Sequence, residues 1–142
     1  MTITKQRLQD FPFTLEYRTR WSDNDAYGHM NNAKYLELFD SITNVVLEPL
    51  LKTSSQIALI VHADADYYAS VAYPEVLQVG LGVSRLGRSA VHWELGVFSA
   101  TGTLACMGRY VHVFCNKSQK SEAMSSLSAQ RLQELVLTTP SL

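Results

Sequence analysis

"RTRWSDNDAYGHMNNAKYLELFD", Arg18 to Asp40, changes character twice. It opens as the tail of an alternating segment, turns polar, then becomes apolar with a longer period. Leu15, Tyr17, Thr19 and Trp21 face one way, and Glu16, Arg18 and Arg20 the other. Thr14 to Trp21 therefore reads as a half-buried strand. From Ala33 the apolar residues Tyr35, Leu38, Phe39, Ile42, Val45 and Val46 recur at three- and four-residue spacing, which predicts a helix. Leu36 and Leu47 widen its apolar stripe, so much of the helix is expected to be buried. Pro49 is expected to end it, because proline disfavours helical geometry in the residue before it. Asn31 or Asn32 is placed to cap its start, accepting a hydrogen bond from an unpaired N–H of the first turn.

Beyond "KTSSQ" the period returns to two. Strands are expected over Ile57 to Tyr68, Glu75 to Leu86, Ala90 to Ser99 and Thr103 to Asn116. The links "LGRS" and "SATG" are short and contain glycine, so they join antiparallel neighbours; a parallel crossover needs a dozen or more residues. A second helix is expected around Ser126 to Val136. The order of strand, long helix, then a meander of about four strands is α+β, with the helix packed on one sheet face.

A chain of 142 residues fits one domain, and we expect a single unit over 1–142. Its 46% hydrophobic content is enough for one core. The net charge of -1 shows no basic stripe, which argues against a nucleic-acid partner. Cys106 and Cys115 form no C-x-x-C pair, and we expect reduced thiols in a cytoplasmic protein. "MTITKQRLQDFPF" lacks the apolar core of a signal peptide. Runs such as "IALIV" fall far short of the roughly 20 residues of a membrane span. "PSL" does not match the peroxisomal signal, and without a secretory signal the sequon at Asn116 carries little meaning.

Several chemistries fail on spacing. "DNDAYG" imitates a calcium loop, but its fifth position is Tyr27 and its twelfth Lys34, where the loop needs a bidentate acid. "GLGVSRLGRS" is not a dinucleotide fingerprint; Gly80 and Gly82 instead mark places where something packs closely on the sheet. His62, His92 and His112 are scattered without a zinc spacing, so structural or surface roles are expected and no metal site. No G-x-S-x-G elbow is present. The reading needs no cofactor.

What remains is Asp25, Gly28, His29, Asn31 and Asn32, just ahead of the helix. They fit a plain polar loop with a capping asparagine. They also fit acyl transfer. A helix start offers unpaired N–H groups and a partial positive charge, which hold the oxyanion formed when a carbonyl is attacked. An aspartate beside them serves as nucleophile or general base.

The pattern D-x-D-x-x-G-H-x-N-N-x-x-Y resembles the hotdog-fold acyl-CoA thioesterases of the 4-hydroxybenzoyl-CoA thioesterase type. "ADYYASVAYPEVLQVGLGVSRLGRSAVHWELGVF" extends the likeness more weakly, so that it covers most of Thr14 to Asn116. The resemblance implies a central helix wrapped by a curved antiparallel sheet, in a homodimer or homotetramer with the active site between subunits. It implies Asp25, His29 and Asn32 as the catalytic set, with Asp25 as the catalytic aspartate and Asn32 opening the helix that faces the thioester carbonyl. His29 and Asn31 shape the pocket and hydrogen-bond substrate, Gly28 lies with them, and Tyr35 lines the acyl tunnel. Arg88 and Ser89 are similar to positions that meet the phosphates of coenzyme A. Glu37 is taken as a surface residue. The implied substrate is an acyl-CoA.

Overall fold

The computed structural model describes residues 7–138. The readings of the chain ends, over residues 1–6 and 139–142, lie outside the described residues. Strand β1 is Phe13–Arg18, helix α1 Asn32–Lys52, β2 Ile57–Tyr67, β3 Val76–Leu86, β4 Ala90–Phe98, β5 Leu104–Cys115, and helix α2 Ser126–Gln133. Short 3-10 turns occupy Leu8–Asp10 and Trp21–Asp23. The five strands form one antiparallel sheet in the order β1-β3-β4-β5-β2.

The sheet order corrects the four-strand meander. β3, β4 and β5 do follow one another through tight turns, but β2 lies at the far edge beside β5. Neighbours in a sheet are set by which edges remain open, and period-two alternation carries no record of that.

Helix α1 lies across one sheet face. Tyr35, Phe39, Ile42, Val46 and Leu50 form its buried stripe, at helical spacing. They meet Leu77, Val79, Val91, Trp93, Leu95, Tyr110 and Phe114 from the strands. Gly108 sits under the helix, where a Cβ would run into the Phe39 ring. Gly80 and Gly82 lie on the opposite face, covered by Phe11 and Leu137, which is the close packing expected at both. His112 is buried in the core. Trp93 donates its indole N–H to His112 Nδ1 at 3.0 Å, and burial pushes the imidazole down to about 4, so it stays neutral at pH 7. Cys106 and Cys115 are both buried and unpaired.

Three boundaries differ from expectation by more than one residue. The helix passes Pro49 and ends at Lys52. A proline inside a helix costs about 3 kcal/mol, but burying a leucine returns about 1.5–3 kcal/mol, and Leu50 is buried in the turn that follows. The Glu48–Lys52 pair and a Thr53 hydroxyl bond to the Leu50 carbonyl add to that turn. The first strand stops at Arg18, and Trp21 stands 80% exposed on a 3-10 turn. The cause is Asp23, whose carboxylate folds back onto the Arg20 backbone N–H at 2.8 Å and closes the turn. The last helix ends at Gln133. The chain after it becomes extended, with Val83 and Leu135–Leu137 exchanging backbone hydrogen bonds beside β3.

Candidate active site

The polar segment between β1 and α1 is held from inside by Asp23, which is fully buried. Its carboxylate accepts the Tyr17 hydroxyl at 2.7 Å, the Arg20 N–H at 2.8 Å and the Arg20 guanidinium at 3.0 Å. Its carbonyl accepts the Asn31 N–H at 2.8 Å, so one residue ties the strand end to the helix start. Burial raises the cost of its charge, but the Tyr17 and Arg20 hydrogen bonds outweigh it and hold the carboxyl below its usual range.

Asp25 sits in the next turn of chain. The Asp25 N–H donates to the His29 carbonyl at 2.8 Å, and Gly28 N–H to the Asp25 carbonyl at 3.1 Å. Gly28 takes φ 78, a left-handed conformation that favours glycine and lets this loop close. Asp25 Oδ1 accepts the backbone N–H of Tyr27 at 2.9 Å and of His29 at 3.4 Å. Oδ2 has no hydrogen bond among the described residues. One oxygen is thus anchored and the other uncommitted.

Asn31, one of the two capping candidates, is the helix cap: its Oδ1 accepts the Ala33 N–H at 2.9 Å. Its carbonyl accepts Lys34 N–H at 2.9 Å. The Asn32 N–H is left without a partner among the described residues, at the positive end of a 21-residue helix.

Asp25, His29, Asn32 and Tyr35 line one depression of about 370 Å³. Tyr27, Met30, Tyr67, Tyr68, Ala69 and Ser70 complete it. The four residues come from the same stretch of sequence; Tyr67 and Tyr68 come from the end of β2 and were missed. The doubled tyrosine closing an apolar strand was the available signal. Tyr35 and Tyr67 meet edge to face at 5.3 Å. Burial pushes the Tyr35 hydroxyl and the Cys106 thiol up to about 12, so neither supplies a nucleophile at neutral pH.

Arg88 and Ser89 are not brought to this depression. They lie in the β3–β4 turn, where their carbonyls accept N–H groups of Met124 and Phe114. That turn is beside Ala90 and Val113, whereas the depression is beside Tyr67, Cys106 and Val97. Nine residues of β4 separate the two ends, about 30 Å at 3.3 Å per residue. Glu37 is exposed and pairs with Arg20 at 3.5 Å and Lys34 at 3.6 Å, as a surface residue. His62 is a surface residue too, paired with Asp64 at 2.7 Å. Among the described residues no group of histidine, cysteine and acidic side chains is arranged to hold a metal ion.

The family model described as the thioesterase-like superfamily matches residues 19–134. The chain belongs to the thioesterase-like superfamily. Its fold is the hotdog fold, and this thioesterase-like domain is a thioester hydrolase. A solved protein of Pseudomonas aeruginosa strain PAO1 is 34% identical, with a TM-score of 0.87 over 94% of this chain and 98% of that one. A hypothetical protein of Staphylococcus aureus, solved in complex with CoA, shares the fold at 16% identity, with a TM-score of 0.83 over 100% of this chain and 91% of that one. So does a 1,4-dihydroxy-2-naphthoyl-CoA thioesterase from Synechocystis, at 18% identity and a TM-score of 0.73 over 90% and 98%. No curated protein sequence matches the chain.

Proposed function

We propose that the thioester hydrolysed is an acyl-CoA, cleaved with water to a carboxylic acid and free CoA. Asp25 acts on the thioester carbonyl directly as nucleophile, or through a water molecule as general base. The helix start binds the oxyanion that forms. The observation that carries this reading is that one depression is lined by both Asp25 and Asn32, whose Oδ2 and backbone N–H are unbonded among the described residues. A carboxylate supplies the attack and a backbone donor at a helix dipole takes the developing charge, so the reaction needs neither metal nor cofactor. His29 and Asn31 shape the entrance, with Gly28 setting the turn between them and Asp25. Tyr35 borders the acyl group.

The whole chain is read as one functional domain, working in the cytoplasm. Among the described residues no helix is long and apolar enough to cross a membrane. β2 is an edge strand with Leu59, Ile60 and Val61 exposed. An open apolar edge favours pairing with another strand, which supports a homodimer joined edge to edge beside the Tyr67 end of the site, and a tetramer built from such dimers. Arg88 and Ser89 would then meet CoA phosphates only from another subunit.

Two other readings keep the fold: a non-catalytic acyl-thioester or lipid-binding module, and a hydrolase for acyl groups on a carrier protein. Thiol release from short, long and aromatic acyl-CoAs, run beside the same acyl groups on carrier protein, separates them. The expected result is turnover of acyl-CoA that disappears on dilution to monomer, followed by light scattering. Binding without thiol release, or release only from the carrier protein, contradicts the proposal.

A further inference from the structure

Two tyrosine hydroxyls reach from the sheet to carbonyls one turn apart on α1. Tyr110 donates to the Leu36 carbonyl at 2.7 Å, and Tyr67 to the Asn32 carbonyl at 3.1 Å. The first bond joins the buried Tyr110 to the helix backbone and belongs to packing. The second has a different setting. Tyr67 is 43% exposed, lines the candidate site, and its ring is fixed edge to face on Tyr35.

A peptide unit is planar, so a bond made at its carbonyl fixes the direction of the N–H on the following residue. It also polarises that N–H, because linked hydrogen bonds strengthen one another. At the start of α1 both leading peptide units are engaged at their carbonyls. The Asn31 carbonyl accepts Lys34 N–H, and the Asn32 carbonyl accepts the Tyr67 hydroxyl. The matching N–H groups are those of Asn32, which is unbonded among the described residues, and Ala33, which is held by Asn31 Oδ1. Among the described residues Tyr67 is the one side chain of β2 hydrogen-bonded to this first turn.

We propose that Tyr67 is a positioning residue: its hydroxyl, donated to the Asn32 carbonyl, fixes the Asn32–Ala33 peptide unit, and through the Ala33 N–H bond to Asn31 Oδ1 it holds the adjoining Asn31–Asn32 unit at the angle from which the Asn32 N–H faces the reacting carbonyl. This rests on the hydrolase reading above. The hydroxyl touches the helix and not the reacting atoms, so its effect passes through the backbone. A misplaced oxyanion donor costs rate, since it acts where charge develops in the transition state.

Tyr67→Phe removes the hydroxyl and keeps the ring against Tyr35. With acyl-CoA as substrate, kcat is expected to fall roughly 10-fold, the loss of about one ordinary hydrogen bond, while KM stays within about 2-fold. Amide resonances of Asn32 and Ala33 are expected to shift, and exchange of the amides at residues 33–36 to quicken about 10-fold, with the urea transition still a single cooperative step. Unchanged resonances and exchange would overturn the proposal whatever the activity. A rise in KM at constant kcat would also overturn it, marking Tyr67 as a substrate contact instead. A wild-type protein that releases no thiol would sink the hydrolase reading alone, because the amide measurement still decides whether Tyr67 sets the helix start.

Discussion

Replacing Asp25 with asparagine is expected to lower kcat for acyl-CoA hydrolysis by about 10³-fold or more, with KM changed little. Asparagine keeps the shape and still offers an oxygen to the Tyr27 and His29 N–H groups that anchor Asp25 Oδ1. The loop should therefore hold its form, and the thermal midpoint should move by no more than a few degrees. What is lost is the second oxygen, the only part of the residue that is uncommitted among the described residues. An amide is neither a base nor an effective nucleophile, so the defect belongs to the chemical step. Steady-state thiol release, with folding checked by circular dichroism, measures it. A folded variant with more than a tenth of wild-type kcat would remove Asp25 from the mechanism.

Asp23→Ala is expected to damage both the fold and the rate. Truncating a buried, hydrogen-bonded carboxylate costs about 3 kcal/mol, and here it strands the Tyr17 hydroxyl and the Arg20 N–H. The Asn31 N–H keeps its bond to the Asp23 carbonyl, but the turn carrying that carbonyl loses its closure. The helix start should shift with it, and activity should fall further than lost stability explains. The same carboxylate adds a pH signature. Its folded pKa is lowered, so its stabilisation is present above about pH 4 and is lost as pH falls through the folded pKa. Urea unfolding of wild type and variant between pH 7 and pH 3 tests this. The two curves should converge as pH drops; a constant gap across that range would show that the charge of Asp23 contributes nothing.

The contrast between these two aspartates shows where the sequence stops being legible. Both stand in "DND", two residues apart. In the sequence Asp25 is singled out, which the family resemblance also favours, and Asp23 is assigned no role. Only packing distinguishes the acid buried against Tyr17 and Arg20 from the half-buried one with an oxygen left unbonded among the described residues. The long helix was legible because its stripe repeats at three- and four-residue spacing from Tyr35 to Val46, and the strands because their alternation is sustained. The crossing of β2 to the far edge was not, since it depends on which strand edges are covered. Trp21 misled for a related reason: alternation continued past the point where the Asp23 side chain turned the backbone aside. The site residues contiguous with the helix start were found together. Tyr67 and Tyr68, from the end of β2, were not, because contact between segments that far apart leaves no trace in local period.

In the proposed reaction one substrate carbonyl lies between Asp25 and the start of α1. The crystal structure of the protein with an acyl-CoA analogue, its sulfur replaced by methylene so that it is not cleaved, tests that directly. The predicted result places the carbonyl oxygen about 3 Å from the Asn32 N–H, with the carbonyl carbon facing Asp25 Oδ2. An analogue seated instead in the apolar groove between α1 and β1, beside Leu15, Leu38 and Val45, with its carbonyl out of reach of Asp25, would contradict it.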